Sequence, residues 1–300
     1  MRVGRYTIEI THPDKILFPS PRLTKQDLVE YYQQIAPTML PYMRGRPVTM
    51  ERHPDGVRDK GFYQKELPEH FPSWIGRAAV SVKGDGRQTQ VVCEKAADLV
   101  YLADQGCITP HVWLSRKDHL DKPDRLILDL DPPSRDFRAV RSAARRVRDL
   151  LEELGLKPFV MLTGGRGLHV VCPLSRTSDF DTVREFAQGV SSVLAKRHPK
   201  ELTTEQRKNK RRGRVFLDSG RNSYGQTAVA PYAVRARPNA SVATPLDWQE
   251  LSNPPLRADT YTIRTIFRRL SSKGDPWQGI MRSARSLARP QERLKKLLSS

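Results

Sequence analysis

Leu126-Ile127-Leu128-Asp129-Leu130-Asp131-Pro132-Pro133 is the stretch around which the rest of the chain arranges itself. Apolar and acidic residues nearly alternate, and the run ends in two prolines, which cannot donate to a ladder. The pattern is that of a β-strand. Side chains of a strand alternate between faces, so Asp129 and Asp131 share one face while Leu128 and Leu130 point into a core. Two carboxylates at i and i+2 repel each other unless a cation sits between them. Hard oxygen donors suit Mg²⁺ or Mn²⁺. Taken alone, Asp-x-Asp is also compatible with a strand end carrying two solvated acids.

Downstream, Phe137, Val140, Ala144, Val147, Leu151 and Leu154 recur at helical spacing, and Gly155 ends the helix. Arg138, Arg141, Arg145 and Arg148 mark its other face, readable as a solvated basic stripe. A strand over 158–162 leads into Thr163-Gly164-Gly165-Arg166-Gly167-Leu168-His169, and a second strand starts at Val170. Ser178 or Asp179 caps a further helix. Residues 207–214, RKNKRRGR, hold six positive charges in eight positions and no large apolar side chain, which predicts a mobile loop or an arm for phosphate. Val215-Phe216-Leu217-Asp218 is another short strand ending in an acid.

These pieces call for one explanation. Glycines let backbone N–H groups approach an anion closely, and Thr163, Arg166 and His169 add donors for phosphate oxygens. The turn is not a Walker loop, because it joins strand to strand and no Gly-Lys-Ser/Thr follows; nor is it the dinucleotide fingerprint. With Asp218, the acids make the hard-oxygen set of two-metal phosphoryl chemistry, in which the ions stand about 3.5–4 Å apart.

Toward the amino terminus, Thr24 and Asp27 form a capping box for a helix carrying Leu28, Tyr31, Tyr32 and Ile35. Lys15 and Lys25 flank the preceding loop, which lets both ammonium groups converge near the helix start. Phe62 and Tyr63 are adjacent aromatics in a polar stretch, either half-buried hairpin residues or a platform for bases; without context the packing reading is favoured. Residues 80–92 read as a hairpin with Asp85-Gly86 at its tip, decorated by Lys83 and Arg87. Residues 109–116 read as a strand with His111 and Trp113 on one face.

Composition narrows the partner. Lys plus Arg number 52 against 33 Asp plus Glu, a formal charge of +19 in 300 residues. Such an excess repels itself, and it points first to nucleic acid and second to an anionic membrane surface. No apolar run approaches the roughly 18 residues of a membrane span, and the amino terminus lacks the apolar segment of a signal peptide. Cys93, Cys107 and Cys172 are scattered and odd in number, so buried thiols in a reducing cytosol are expected. The expected location is the cytoplasm, in association with the nucleoid.

The motifs HPDKILFP, GFYQKELPEH, HVWLSR, LDLDPP, TGGRGLHV, FLDSGRN and APYAVRARPNASVATPLDW together resemble the polymerase domain of bacterial ATP-dependent DNA ligase D, in the archaeo-eukaryotic primase superfamily. The resemblance runs over nearly the whole chain and departs at Thr163, where the family often has Ser. It includes no ligase or nuclease sequence, leaving a stand-alone polymerase or one domain of a longer chain.

The resemblance implies an α/β (α+β) fold. A primase-like catalytic core with an RRM-like mixed sheet is wrapped by N-terminal strands and helices. It implies a single primase-polymerase domain over 1–300: an N-terminal part, 1–120, on the DNA end and 5′-phosphate; a catalytic core, 121–250; and C-terminal helices with a basic tail, 251–300. Asp129, Asp131 and Asp218 would hold two metals, Mn²⁺ or Mg²⁺. Arg52, His111, Thr163, Arg166, His169, Arg221 and Arg235 would bind the incoming nucleotide. Phe62 and Tyr63 would stack on a base, and Lys15 and Lys25 would grip a 5′-phosphate. Lys83, Arg87, Arg211 and Arg212 would touch DNA.

The implied activity is gap filling and end extension with nucleoside triphosphates, with a preference for ribonucleotides. The implied substrates are 5′-phosphorylated gaps and double-strand breaks repaired by non-homologous end joining, with Ku and a fused or separate DNA ligase as partners. A metal-dependent nuclease and a non-catalytic basic nucleic-acid-binding domain are the alternatives.

Overall fold

In the computed structural model, which describes residues 1–20, 22–82, 86–133 and 137–299, the acid-bearing run lies in the interior of a six-stranded sheet. In chain order the elements begin with β1 (Arg2–Val3), β2 (Tyr6–Thr7), β3 (Ile16–Phe18), β4 (Leu23–Thr24) and α1 (Lys25–Met43). Next come β5 (Pro47–Arg52), β6 (Phe62–Gln64), β7 (Arg77–Val82), β8 (Gly86–Val92), α2 (Ala96–Asp104) and β9 (Cys107–Trp113). The central stretch holds β10 (Arg125–Asp131), α3 (Phe137–Glu153), β11 (Phe159–Leu162), β12 (Leu168–Pro173) and α4 (Phe180–Arg197). The remainder is β13 (Leu202–Thr203), β14 (Val215–Asp218), β15 (Thr227–Val229), β16 (Thr244–Leu246), α5 (Ile266–Lys273) and α6 (Ala288–Ser299). The chain divides into two units, neither contiguous in sequence: 1–120 with 227–244 and 261–272, and 121–226 with 245–260 and 273–300.

The first unit is built on an antiparallel sheet of order β15-β9-β5-β8-β7, with β6 also paired to β5. α1 starts at the expected box: Thr24 N–H donates to the Asp27 carboxylate (2.6 Å), and Asp27 N–H donates to the Thr24 hydroxyl (3.2 Å). It runs past Ile35 to Met43 although Pro37 and Pro41 lie inside it. Each proline removes one helical donor, yet Tyr32, Ile35, Met39 and Met43 form a fully buried stripe. Packing wins over propensity here. The expected hairpin at 80–92 is β7–β8, in register Val82↔Gly86; Lys83 and Asp85 lie outside the described residues.

The second unit carries the β-α-β-β-α-β order that an RRM-like core requires. β14, β10, β12 and β11 are neighbours in that order, all antiparallel, with β13 and β16 added at the two edges. This is the expected α/β class. Leu126, Leu128 and Leu130 are all fully buried, each worth roughly 1.5–3 kcal/mol relative to exposure. α3 and α4 pack on this sheet and on each other. Asp179 caps α4, accepting from Thr182 N–H at 2.8 Å.

The basic stripe on α3 is not simply solvated. Arg141 donates to the carbonyls of Asn253 (2.6 Å) and Leu251 (3.4 Å), Arg145 to Ser252 Oγ (3.2 Å), and Arg146 forms a forked pair with Glu201 (2.7 and 3.2 Å). Arg141 thus serves carbonyls at the end of the 248–252 turn, where helical partners run out. All three cysteines are buried free thiols. Among the described residues, no helix is long and apolar enough to cross a membrane.

Candidate active site

The site of the second unit is assembled by strand register. Asp129 stands opposite Asp218 across β10–β14, and opposite His169 across β10–β12. Directly opposed residues project to the same side, as do residues two apart on one strand. Asp129, Asp131, Asp218 and His169 therefore share one face of the sheet. Opposed like charges are unfavourable, so this face holds a repulsion that the fold has to compensate.

Two carboxyls two residues apart meet it differently. Burial alone would raise Asp129, which is only 8% exposed, but His169 and Arg221 outweigh it and hold the carboxyl below its ordinary value. His169 Nε2 lies 3.5 Å from Asp129 Oδ2, and Arg221 Nε donates to the same oxygen at 3.3 Å. Asp131 is raised: its partial burial and the negative charges of Asp129 and Asp218 exceed what Arg211 and Arg166 return. Asp218 Oδ1 accepts from Gly220 N–H at 2.7 Å.

The glycine-rich turn connects β11 to β12 as expected, and Thr163 is its organiser. Its hydroxyl donates to Gly167 O (3.1 Å) and accepts from the N–H groups of Gly165 (3.2 Å) and Gly167 (3.3 Å). Gly167 has no room for a side chain, since a Cβ there would lie 2.1 Å from Leu130 O. The turn is thus pressed against β10 between the two acids. Arg166 is exposed at its tip.

Arg211 departs from the exposed arm expected over 207–214. It is 8% exposed, its guanidinium lies 4.1 Å from the centroid of the Phe216 ring, and it donates to the carbonyls of Glu205 (3.1 Å) and Gln206 (2.9 Å). One nitrogen is 4.0 Å from Asp131 Oδ2. A planar cation can lie on a ring that a charge count treats as irrelevant. Arg212 is exposed, as expected.

The remaining candidates fall in the first unit. His111 Nε2 is 3.1 Å from Glu51 Oε2, and the Tyr63 and His111 rings meet in a T-shaped contact with centroids 5.6 Å apart. Burial would raise Glu51, but His111, Arg235 and Thr109 together hold it low. Arg52 donates to Gln105 O (2.8 Å) and Gln64 Oε1 (2.6 Å), with its guanidinium 5.5 Å from the Phe62 ring centroid. Phe62 and Tyr63 are 46% and 62% exposed, so the packing reading gives way to an aromatic pair open to solvent. Arg87 is exposed.

Lys15 and Lys25 are joined through the backbone, Lys25 N–H donating to Lys15 O at 2.8 Å, and their ammonium groups take different acceptors. Lys15 pairs with exposed Asp55 at 2.6 Å. Lys25 is buried and donates to Thr11 Oγ1 (2.8 Å), Asp104 O (2.8 Å) and Asp104 Oδ1 (3.2 Å). An ammonium has three donors, and three acceptors surround this one.

The donor set suits a divalent cation: three hard carboxylates on one face, one of them raised by burial and by the charge of its acidic neighbours. The ligand shell is not drawn together in advance. Among the described residues, no three His, Cys, Asp or Glu side chains converge as they do around a metal.

Comparison with known proteins bears directly on this arrangement. The LigD primase-polymerase domain family matches residues 24–277. The chain belongs to that family. It is thereby a nucleotidyltransferase of the primase-polymerase type, with an archaeo-eukaryotic primase-like fold. The polymerase domain of Mycobacterium tuberculosis ligase D in complex with DNA superposes with a TM-score of 0.87 at 32% identity, covering 93% of this chain and 99% of that one. The multifunctional non-homologous end joining protein LigD of Pseudomonas aeruginosa is 33% identical over 280 residues, 92% of this chain and 33% of its own length. The bifunctional LigD of Bacillus subtilis is 30% identical over 273 residues, 90% of this chain and 43% of its own length. The chain thus spans between about a third and under half of these relatives.

Several residues that shape the site carry little sequence signal. Glu51, Asp104 and Gln105 act through partners far away in sequence, and nothing in their local pattern marks them.

Proposed function

We propose that this LigD-type primase-polymerase domain fills gaps and extends ends at 5′-phosphorylated gaps and double-strand breaks, as part of non-homologous end joining. The observation that carries the reading is the single sheet face bearing Asp129, Asp131 and Asp218, with the Asp131 carboxyl raised by burial and its acidic neighbours. That face lies beside a glycine-rich turn tipped by Arg166. Asp129, Asp131 and Asp218 would hold two divalent ions, Mn²⁺ or Mg²⁺. When bound, these supply Lewis-acid stabilisation of the phosphoryl oxygens and lower the pKa of the attacking hydroxyl.

The protein's own contribution is positioning and charge. Arg166, His169 and Arg221 provide donors for triphosphate oxygens, and Thr163 holds the turn that presents Arg166. Arg52, His111 and Arg235 of the first unit are assigned to nucleotide binding, with Glu51 orienting His111. Phe62 and Tyr63 offer ring faces to a base of any sequence. Lys15 would exchange Asp55 for a 5′-phosphate. Lys25 ties Thr11 and Lys15, the two ends of the presenting turn, to the body of the unit. Arg87, Arg212 and Lys83 would add salt-dependent contacts to the DNA backbone. A ribonucleotide preference, a partner of the Ku type and a ligase, fused or separate, complete the proposal.

The test is incorporation of labelled nucleotide on a gapped duplex with Mn²⁺, comparing ribo- and deoxyribonucleoside triphosphates with and without the 5′-phosphate. Extension that Asp129→Ala lowers by at least about 10³-fold, with DNA binding retained, is the expected result; a carboxylate that holds the metal contributes several kcal/mol to the transition state. Shortening of the primer would instead select the nuclease reading.

A further inference from the structure

We propose that Asn222 is a positioning residue for the carboxylate face, its carboxamide standing in for a peptide unit that β14 does not supply. The inference rests on the role proposed above for Asp218. β14 ends at Asp218, and the chain turns at once into a 3-10 segment, Gly220–Asn222. In the β10–β14 register, Asp131 faces Phe216 and Asp129 faces Asp218. Ile127, two places further along β10, would need another strand residue opposite it. None continues the strand there.

The side chain of Asn222 fills that place. Its Oδ1 accepts from Ile127 N–H at 2.9 Å and its Nδ2 donates to Ile127 O at 2.7 Å, the donor and acceptor a ladder residue would have offered. The same Nδ2 also donates to Ser219 O at 2.9 Å, and Asn222 N–H donates to that oxygen at 3.1 Å. Asn222 is fully buried. A planar amide is the one side-chain group that presents a donor and an acceptor side by side at this reach. Aspartate lacks the donor and glutamine is one methylene too long.

The consequence falls on the site. The clamp fixes both ends of a five-residue segment, with Asp218 held in the ladder and Asn222 bolted to Ile127. Between them, Gly220 N–H orients the Asp218 carboxylate, and Arg221 reaches Asp129. A Cβ on Gly220 would lie 2.9 Å from Asp218 Oδ1, so the glycine is what lets its N–H approach that carboxylate so closely. Loss of the amide frees the segment to leave β10, and Asp218 and Arg221 go with it.

The experiment compares Asn222→Ala and Asn222→Asp with the parent chain for Mn²⁺ affinity (free-ion EPR), DNA affinity, and kcat for nucleotide addition, each far below the melting temperature. The expected result is Mn²⁺ affinity weaker by about 10-fold or more and kcat lower by about 10²-fold, with DNA affinity within about two-fold. Leu194→Ala, a core truncation in α4, is the control for general destabilisation; it should lower the melting temperature without moving Mn²⁺ affinity or kcat. Folded Asn222 variants that keep both quantities would overturn the proposal. So would equal deficits in Leu194→Ala, or failure of both Asn222 variants to fold, either of which makes the residue merely structural. Asp218→Ala separates the two levels. If it loses both quantities while the Asn222 variants lose neither, only the positioning role fails; if it loses neither, the carboxylate reading fails and this inference with it.

Discussion

The polar residues of the first unit and the acidic face of the second handle charge in opposite ways. In the first unit four candidate cations have an anion or carbonyl partner: Lys25 has Asp104, Lys15 has Asp55, Arg52 has Gln105 and Gln64, and His111 has Glu51. In the second, Asp129 is neutralised by His169 and Arg221, but burial together with Asp129 and Asp218 keeps the Asp131 carboxyl raised despite Arg211 and Arg166. A unit whose charges are internally matched is a scaffold. It can present exposed rings such as Phe62 and Tyr63 without rearranging. A unit with unmatched charge is poised for a cation from outside.

The sharpest way to break this contrast is at Lys25. Removing one partner of a buried ion pair leaves the other charge stranded, typically at a cost of 3–5 kcal/mol. Lys25→Ala should therefore lower stability by about that amount, read as a fall in denaturation midpoint, because Asp104 is only 4% exposed. Lys15→Ala, at an exposed pair, should change stability by less than about 1 kcal/mol. Equal effects from the two would end the idea that one lysine is framework and the other is available to ligand.

A middle-sized effect is expected at the rings. Phe62→Ala combined with Tyr63→Ala should weaken binding of gapped DNA by about 1–3 kcal/mol per base lost from the stack, roughly ten-fold in Kd for each 1.4 kcal/mol. The melting temperature should hardly move, because both rings face solvent. Loss of stability instead of affinity would mean that they pack within the fold.

The smallest effect has the opposite sign. The raised carboxyl of Asp131 means that the folded state prefers it protonated. Its ionisation costs stability once pH rises above the ordinary carboxylate value near 4. Asp131→Asn should then stabilise the metal-free protein at pH 7 by a few tenths to about 1 kcal/mol, discounted for a side chain 41% exposed. The gain should vanish near pH 3, where both forms are neutral. Denaturation at the two pH values measures this, and a variant less stable than the parent at pH 7 would show that Asp131 is already matched.

Much of the second unit was legible because its signals are local. Strand alternation marked 126–131, against an observed Arg125–Asp131, and the apolar spacing from Phe137 marked α3. The glycine-rich turn was read as a strand-to-strand connection. Strand register cannot be read from one strand at a time, so the sequence could place Asp218 at a strand end without showing that it faces Asp129. Pairings such as Lys25 with Asp104, 79 residues apart, leave no periodic trace. Arg211 was misjudged for a related reason. Its neighbours are polar, and the ring that receives it belongs to the next strand.

The arginines of α3 have a bearing on how this protein meets a polyanion. Arg141, Arg145 and Arg146 stay bonded to carbonyl, hydroxyl and carboxylate groups of their own chain, so no phosphate need take their place. The number of counterions set free when DNA arrives follows from the cations that touch its backbone. Counting all 52 lysines and arginines would therefore overstate that number, and the salt sensitivity of this surface should be shallower than the composition suggests.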